Sequence, residues 1–178
     1  VNENLHEEAV KFIKEAAYLF PDNADFQWLL TFPLRSLERY KEAAKAFEAC
    51  EKIAAKTRPD FLDERFYFQY AAAVERSKDF DRAAKIFQKT IELIGKQNQE
   101  KADNAFAAQV YNYLGYMWLE NDMKIEEAGE LIKTAIDLDP NSAAITDSLG
   151  WFYFKVGRYE EAKKELLRSE VLLEKEGN

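Results

Sequence analysis

Hydrophobic and polar positions along this chain alternate with helical spacing, and short polar turns separate the apolar runs. Apolar residues at intervals of three and four indicate amphipathic α-helices joined in series. The stretch DSLGWFYFKVGRYEEAKKELL, residues 147–167, holds a glycine inside an apolar run, a Gly-Arg-Tyr turn and a later alanine. It predicts a helix that begins after Asn141 or Ser142 and stops in a left-handed turn at Gly157. A second helix is expected over residues 159–173.

The same pattern recurs along the chain. The segment LGWFYFKVGRYEEAKKELL superposes on LGYMWLENDMKIEEAGELI, which places Gly150 on Gly115 and Tyr153 on Trp118. A glycine inside a helix costs roughly 1 kcal/mol relative to alanine. We therefore expect both glycines where a neighbouring helix leaves no room for a side chain. Alanines at separations of 34, 40, 45 and 34 residues indicate one repeated unit with two insertions: Ala9, Ala43, Ala83, Ala128 and Ala162.

Two connections between the predicted units are longer than the others. Residues 58–63, RPDFLD, contain a proline that breaks a helix, and residues 98–107, NQEKADNAFA, are mostly polar. Both are interpreted as joins between repeats. Pro33 lies inside another predicted helix, which it should kink or split.

These residues resemble the tetratricopeptide repeat (TPR). The family pattern joins a Leu-Gly pair, an aromatic residue three positions on, and an aromatic residue before the second helix. An alanine follows three residues after that aromatic, and a proline ends the second helix. The matching residues here are Leu149, Gly150, Tyr153, Tyr159 and Ala162, with Pro140 closing the preceding unit.

The resemblance implies an all-α fold, a right-handed α-solenoid of antiparallel helix pairs with about four and a half repeats in a single domain, 1–178. A solenoid normally finishes with a polar capping helix, and none follows the last unit. Both ends are therefore expected to have been cut from a longer array. Residues 3–20 match the second helix of a truncated repeat, and complete repeats are expected at 24–57, 64–97, 108–142 and 143–176.

Composition and charge restrict the classes of partner. The chain is 47% hydrophobic and 33% charged, with a formal net charge of −8 at pH 7. Nucleic-acid binding needs clustered Lys and Arg, so no such partner is expected. No apolar run approaches the roughly 20 residues that span a bilayer, so no membrane contact by this segment is expected. The single cysteine fits the cytoplasm or the bacterial periplasm, and the compartment stays open.

Catalytic chemistry needs convergent titratable groups, and the sequence offers few. His6 is the only histidine and lies among glutamates, which predicts a solvated polar face. Cys50 follows Ala43 by seven residues on the same predicted helix, which predicts a buried packing thiol. The sequence has no Gly-rich phosphate loop, no CxxC pair and no HExxH motif. We therefore expect no enzymatic activity, no cofactor and no metal site.

The resemblance also implies a binding surface, because first helices in the family line a concave groove that binds peptides or protein segments. Aromatic anchors dominate binding hot spots, although packing between repeats is the alternative for each ring. By the family register the predicted groove residues are Trp28, Phe32, Arg35, Phe68, Glu75, Asn112, Tyr116, Asp147, Trp151 and Phe154. The same register also gives Asp25, Arg65, Ala72, Gln109, Leu119 and Ala144.

One TPR subtype grips the C-terminal carboxylate of cytosolic chaperones through Lys, Arg and Asn on this groove. The corresponding positions here carry mainly aromatic residues, and Asn112 alone matches in type. Docking of that kind is therefore not expected.

The sequence thus predicts a non-catalytic protein–protein interaction scaffold that binds a peptide or protein segment in the groove. The alternative is an assembly module whose open solenoid ends or convex face drive self-association or docking to other domains of a parent protein. The last two repeats are similar to those of bacterial TPR proteins, some of which are envelope lipoprotein adaptors for a protease. A third reading is a spacer within a regulatory or enzymatic protein. The sequence does not identify the partner.

Overall fold

A computed structural model describes residues 3–96 and 103–176. Every regular element within these ranges is a helix, which confirms the predicted all-α fold. The chain forms two compact units, Val1–Thr90 and Ile91–Asn178.

The first unit consists of helices that follow one another through short connections. Its elements are α1 (Glu3–Leu19), α2 (Ala24–Ser36), α3 (Tyr40–Thr57), a one-turn 3-10 helix (Pro59–Phe61), α4 (Glu64–Arg76) and α5 (Phe80–Gly95), whose last turn extends past the unit boundary. Helix α2 packs along α3 as an antiparallel pair, and α1 packs on α2. Phe68 of α4 contacts Phe87 of α5, with ring centroids 6.0 Å apart, so these helices also pack together.

The second unit contains two further antiparallel pairs, formed by α6 (Asn104–Glu120), α7 (Ile125–Leu138), α8 (Ala143–Lys155) and α9 (Tyr159–Glu176). Helix α6 packs along α7, and α8 packs along α9. Helix α8 also contacts α6 and α7. Buried Ala108, Ala135 and Ile145 join these three helices in one cluster.

A recurrent turn joins the two helices of each pair. One backbone N–H reaches five residues back, from Arg39 to the Leu34 carbonyl at 2.8 Å and from Arg158 to the Tyr153 carbonyl at 2.9 Å. Gly157 adopts a left-handed conformation in this turn, with φ 76°, as the sequence predicts. In the other three pairs the residues with positive φ are not glycine: Glu38, Lys78, Asp122 and Lys124.

Two helix-interior glycines mark close approaches between paired helices. A Cβ on Gly115 would lie 2.8 Å from Ile132 Cγ1 and 2.9 Å from the Ala128 carbonyl oxygen. A Cβ on Gly150 would lie 2.8 Å from Leu166 Cδ2. The predicted reason for both glycines is confirmed.

Side-chain caps set several helix starts. Ser142 Oγ accepts a hydrogen bond from the Ile145 N–H at 3.4 Å, which confirms one of the two predicted caps of α8. Asp103 Oδ1 accepts from the Phe106 N–H at 3.0 Å, and α6 begins directly after it at Asn104. Residues 104–107, predicted as part of a polar connection, therefore belong to the helix.

Helix α2 runs unbroken through Pro33, so the predicted split does not occur. The proline stands three residues before the end of the helix at Ser36, where it removes a single hydrogen bond to the Leu29 carbonyl. Leu29 is exposed, and the N–H of Leu37 still donates to the Pro33 carbonyl at 3.0 Å. Because Pro33 is so close to the end of α2, the missing hydrogen bond does not interrupt the helix.

Candidate functional site

The predicted groove residues lie on the first helices of the pairs, which are α2 and α4 in the first unit and α6 and α8 in the second. Three aromatic side chains are exposed, with Phe32 at 44%, Tyr116 at 40% and Phe154 at 48%. Asp147 is exposed as well. The other predicted residues are half-buried: Trp28, Arg35, Phe68, Glu75, Asn112 and Trp151.

Trp28 is the centre of an aromatic cluster in the first unit. Its ring centroid lies 5.3 Å from Phe32, 5.7 Å from Phe47 and 5.4 Å from Phe61. A fourth ring, Phe66, is 5.8 Å away. Trp28 is therefore held from several sides and supports the more exposed Phe32, which forms the accessible edge of this cluster.

The connection RPDFLD contributes to the same surface, which the sequence did not suggest. Its 3-10 turn carries Phe61 against Trp28, and Arg58 stacks over the Phe61 ring at 4.7 Å. Arg58 also pairs with Asp25, at 3.1 Å between Nη1 and Oδ1. A pocket of 360 Å³ lies beside Trp28 and is lined partly by Arg58, Phe61 and Gln69. The role of Phe61 was not predicted, because the proline and the polar residues of this segment indicated only a connection between repeats.

Arg35 and Gln69 connect α2 to α4 within the first unit. Arg35 Nη1 donates to Gln69 Oε1 at 2.9 Å across this contact. The bond holds the guanidinium at the last turn of α2, on the helix that carries Phe32. A cationic group and an exposed ring therefore share this helix in the first unit.

In the second unit, Tyr116 of α6 stands near two carboxylates. Partial burial, Glu120 and Asp147 together raise the pKa of Tyr116, since each disfavours the phenolate. Glu120 and Asp147 are both exposed. The exposed Tyr116 ring is thus part of an acidic surface that includes residues of α6 and α8.

Trp151 and Phe154 form a stacked pair on α8, with ring centroids 5.3 Å apart and planes 8° from parallel. Tyr159 touches the edge of Phe154 at 5.7 Å. Lys155 Nζ lies over the Trp151 ring at 5.3 Å and pairs with Asp122 Oδ1 at 2.6 Å. These contacts hold the two rings in place, so the rings lose little conformational entropy when a ligand binds.

Two predicted residues carry buried polar atoms without a hydrogen-bond partner among the described residues. These atoms are Asn112 Oδ1 on α6 and Trp151 Nε1 on α8. An unmade hydrogen bond at a buried polar atom costs about 1–3 kcal/mol. Leu119, which the register also assigned to this surface, is fully buried and packs in the core.

Cys50 and His6 are the two residues that the sequence offered for catalysis or metal binding. Cys50 is fully buried, and this burial raises the pKa of its thiol to about 11, as expected for a packing residue. His6 is half-buried, and its Nε2 is covered without a hydrogen-bond partner in the described ranges, so this residue is less solvated than the polar face that the sequence predicts. Within residues 3–96 and 103–176 no group of three His, Cys, Asp or Glu side chains could hold a metal ion.

Among the helices of these two ranges, none combines the length and the apolar character that crossing a lipid bilayer requires.

Comparison with known proteins supports the interpretation of the repeats. A tetratricopeptide-repeat family model matches residues 147–169. The TPR repeat-containing protein PA4667 of Pseudomonas aeruginosa is 27% identical over 185 residues, which cover 89% of this chain and 30% of that protein. The chain therefore spans under a third of the length of this bacterial relative.

Solved structures of other proteins are also similar to the structure of this chain. MamA from Desulfovibrio magneticus RS-1 aligns with a TM-score of 0.77 at 20% identity, over 97% of this chain and 88% of that one. YrrB, described as a TPR protein with an unusual peptide-binding site, aligns with a TM-score of 0.73 at 18% identity, over 95% and 78%. At these identities the likeness establishes the fold. The resemblance to the tetratricopeptide repeat that the sequence predicts is confirmed.

Proposed function

We propose that this tetratricopeptide-repeat chain is a non-catalytic interaction scaffold, which binds a peptide or protein segment on the faces of its first helices. The observation that carries the proposal is the exposure of Phe32, Tyr116 and Phe154. Large rings of this kind bury much area on binding at small entropic cost.

The surroundings of these rings support the proposal. Phe32 rests against Trp28, and Phe154 is stacked on Trp151, so each exposed ring has a fixed aromatic support. Pre-organised side chains lose little conformational entropy on binding, which favours affinity. YrrB shares the fold and has a peptide-binding site by its own description. The same use of the fold is proposed here.

The test is a selection of short random peptides displayed on phage, followed by titration of the recovered peptides. The variants are Phe32→Ala and the pair Tyr116→Ala/Phe154→Ala. Tyr18→Ala is the matched control, since Tyr18 is 85% exposed and lies on α1, which carries none of the predicted groove residues. Circular dichroism checks that every variant keeps its helix content.

We expect Phe32→Ala and Tyr116→Ala/Phe154→Ala to bind the recovered peptides at least about tenfold more weakly than the wild type, as hot-spot truncations do. Tyr18→Ala should bind them like the wild type. Equal binding by all variants would place the ligand elsewhere. Failure to recover any peptide would count against the scaffold function itself.

A second candidate function is assembly, as a module of a larger complex such as a bacterial envelope adaptor for a protease. It is favoured by exposed apolar side chains on α1 and α9, the first and last helices in chain order. Sedimentation velocity over a concentration series tests it, with Phe12→Glu and Leu167→Glu expected to abolish any concentration-dependent oligomer. The exposed residues are Leu5, Phe12 and Leu19 on α1, and Leu167, Val171 and Leu173 on α9.

A further inference from the structure

The exposed rings of the second unit lie on two helices with a one-sided charge. Helices α6 and α8 are in contact, and they carry Tyr116 and Phe154 as exposed aromatic side chains. The only basic residue in their sequences, NAFAAQVYNYLGYMWLE and AAITDSLGWFYFK, is Lys155. We refer to Tyr116, Glu120, Asp147, Trp151 and Phe154 as the acidic aromatic face.

Within residues 3–96 and 103–176, no cationic side chain pairs with the carboxylates of this face. Glu120 and Asp147 are exposed, and neither forms an ion pair with any other residue in the described ranges. Lys155 is already engaged, because its Nζ pairs with Asp122 at 2.6 Å. Both carboxylates lie close enough to the Tyr116 hydroxyl to influence its ionisation. Two uncompensated negative charges therefore flank an exposed aromatic ring.

An internal contact shows what these rings can hold. The Lys155 ammonium lies over the Trp151 ring, 5.3 Å from its centroid, within the range of a cation–π interaction. Trp151 itself is stacked on Phe154. The carboxylates beside these rings have no such ammonium group among the described residues, and they are complementary to further positive charge.

We propose that the acidic aromatic face binds a cationic segment, with a Lys or Arg side chain held by Asp147 and Glu120. A neighbouring apolar residue of that segment packs on the exposed Tyr116 and Phe154 rings. This inference rests on the proposed scaffold function and specifies the class of its ligand. The formal net charge of −8 on the whole chain also attracts such a segment over longer distances.

The first unit provides an internal contrast. Its first helix α2 presents Arg35 beside the exposed Phe32, and the nearby pocket at Trp28 is lined by Arg58 and Arg65 as well as by Asp60 and Asp63. A cationic side chain would therefore meet charges of both signs on that surface. The preference for Lys or Arg is therefore assigned to the second unit alone.

The experiment compares peptide selections on three proteins. They are the wild type, the pair Asp147→Asn/Glu120→Gln, and the control pair Asp137→Asn/Glu170→Gln. The control removes the same two kinds of charge from exposed positions on the second helices α7 and α9. Selected peptides and their Lys→Gln and Arg→Gln versions are then titrated by fluorescence anisotropy at low and high salt.

We expect peptides rich in Lys or Arg beside apolar residues from the wild type and from the control pair. A selected peptide should bind Asp147→Asn/Glu120→Gln about tenfold more weakly, and its Gln version should not distinguish the proteins. The loss should shrink at high salt, where exposed charges are screened.

Two outcomes would overturn the inference. The first is a pool with no more Lys and Arg than the starting library, and the second is an equal loss in the control pair. If peptides without basic residues bind and are lost with Tyr116→Ala/Phe154→Ala, the scaffold function stands and the cationic ligand does not. If no peptide is recovered from any protein, both fail.

Discussion

Burial decides the chemistry of individual residues in this chain. Cys50 has no exposed surface, and the loss of solvation raises the pKa of its thiol to about 11. Asp25 adds to this shift, since a nearby negative charge disfavours the thiolate. The thiol is therefore protonated and inaccessible at neutral pH.

We predict that Cys50 reacts with a disulfide reagent only as fast as the protein opens. At mildly alkaline pH the native chain should label orders of magnitude more slowly than the chain in concentrated guanidinium, because thiolate is the reactive species. Absorbance of the released thiol measures the rate. Rapid stoichiometric labelling of the native protein would contradict the buried position.

The aromatic residues show a similar division between support and exposure. Trp28 and Trp151 are held by neighbouring rings, while Phe32, Tyr116 and Phe154 keep two-fifths or more of their surface in solvent. We therefore expect truncation of Trp28 to reduce stability as well as binding, because a cavity would form among Phe47, Phe61 and Phe66. The exposed rings are better probes of the binding surface.

At the scale of the element, one turn geometry closes the helix pairs. Glycine adopts the left-handed backbone conformation of this turn without strain, whereas the same conformation destabilises other residues by roughly 1–2 kcal/mol. Gly157 suits this turn, and Lys78 occupies the corresponding turn between α4 and α5 with φ 69°.

Gly157→Ala should lower the free energy of unfolding by about 1 kcal/mol, because alanine strains the left-handed turn. Nothing lies within 4 Å of a Cβ at this position, so the effect would come from the backbone alone. Urea unfolding followed by circular dichroism measures it. Lys78→Gly is the reciprocal variant and should raise stability by a few tenths of a kcal/mol up to about 1. A stabilised Gly157→Ala protein would contradict this account.

For the whole molecule, stability against acid depends on carboxylates that are paired in the native state. Glu42 pairs with Arg39 at 2.7 Å and with Lys14 at 3.0 Å, and Arg39 also pairs with Glu7 at 2.8 Å. The hydrogen bonds from Arg39 and then Lys14 lower the pKa of Glu42 to about 2. The cluster ties α1 to α3 in the first unit.

Glu42→Gln should destabilise the protein at neutral pH by about 1 kcal/mol or less, since the ion pairs are largely exposed and screened. A lowered native pKa stabilises the fold above the usual value of 4.5, and this contribution disappears as pH falls toward about 2. The difference between wild type and variant should therefore shrink over that interval. Urea midpoints across the pH range measure it, with Glu170→Gln as an exposed control. A difference that is constant with pH would exclude the linkage.

Sequence patterns sufficed for much of the fold because the repeat is encoded locally. Gly150, Gly157 and Ser142 each occupy positions that backbone geometry and capping chemistry dictate, and the structure confirms their roles. The start of α6 and the continuity of α2 were missed. Both depend on how a helix end is satisfied, by Asp103 in one case and by the bonds around Pro33 in the other.

The candidate site was less predictable, because the register indicates which side chains share a face but not how deeply each is buried. Leu119 follows the same register as Arg35 and Phe154, yet it is fully buried. Phe61 lies in a proline-containing connection, and only the folded 3-10 turn brings it against Trp28. Asp147 lies close enough to Tyr116 to raise its pKa, although the two residues are 31 positions apart and belong to different helices.

The sequence by itself determined that this chain is a series of amphipathic helix pairs with the tetratricopeptide-repeat pattern. Small residues, caps and turn signals act over a few positions, and their effects can be read along the chain. Only the tertiary structure decided which rings are exposed, which charges stay uncompensated and which connection completes an aromatic cluster. Those properties arise from contacts between helices, where burial and distance depend on packing rather than on spacing in the sequence.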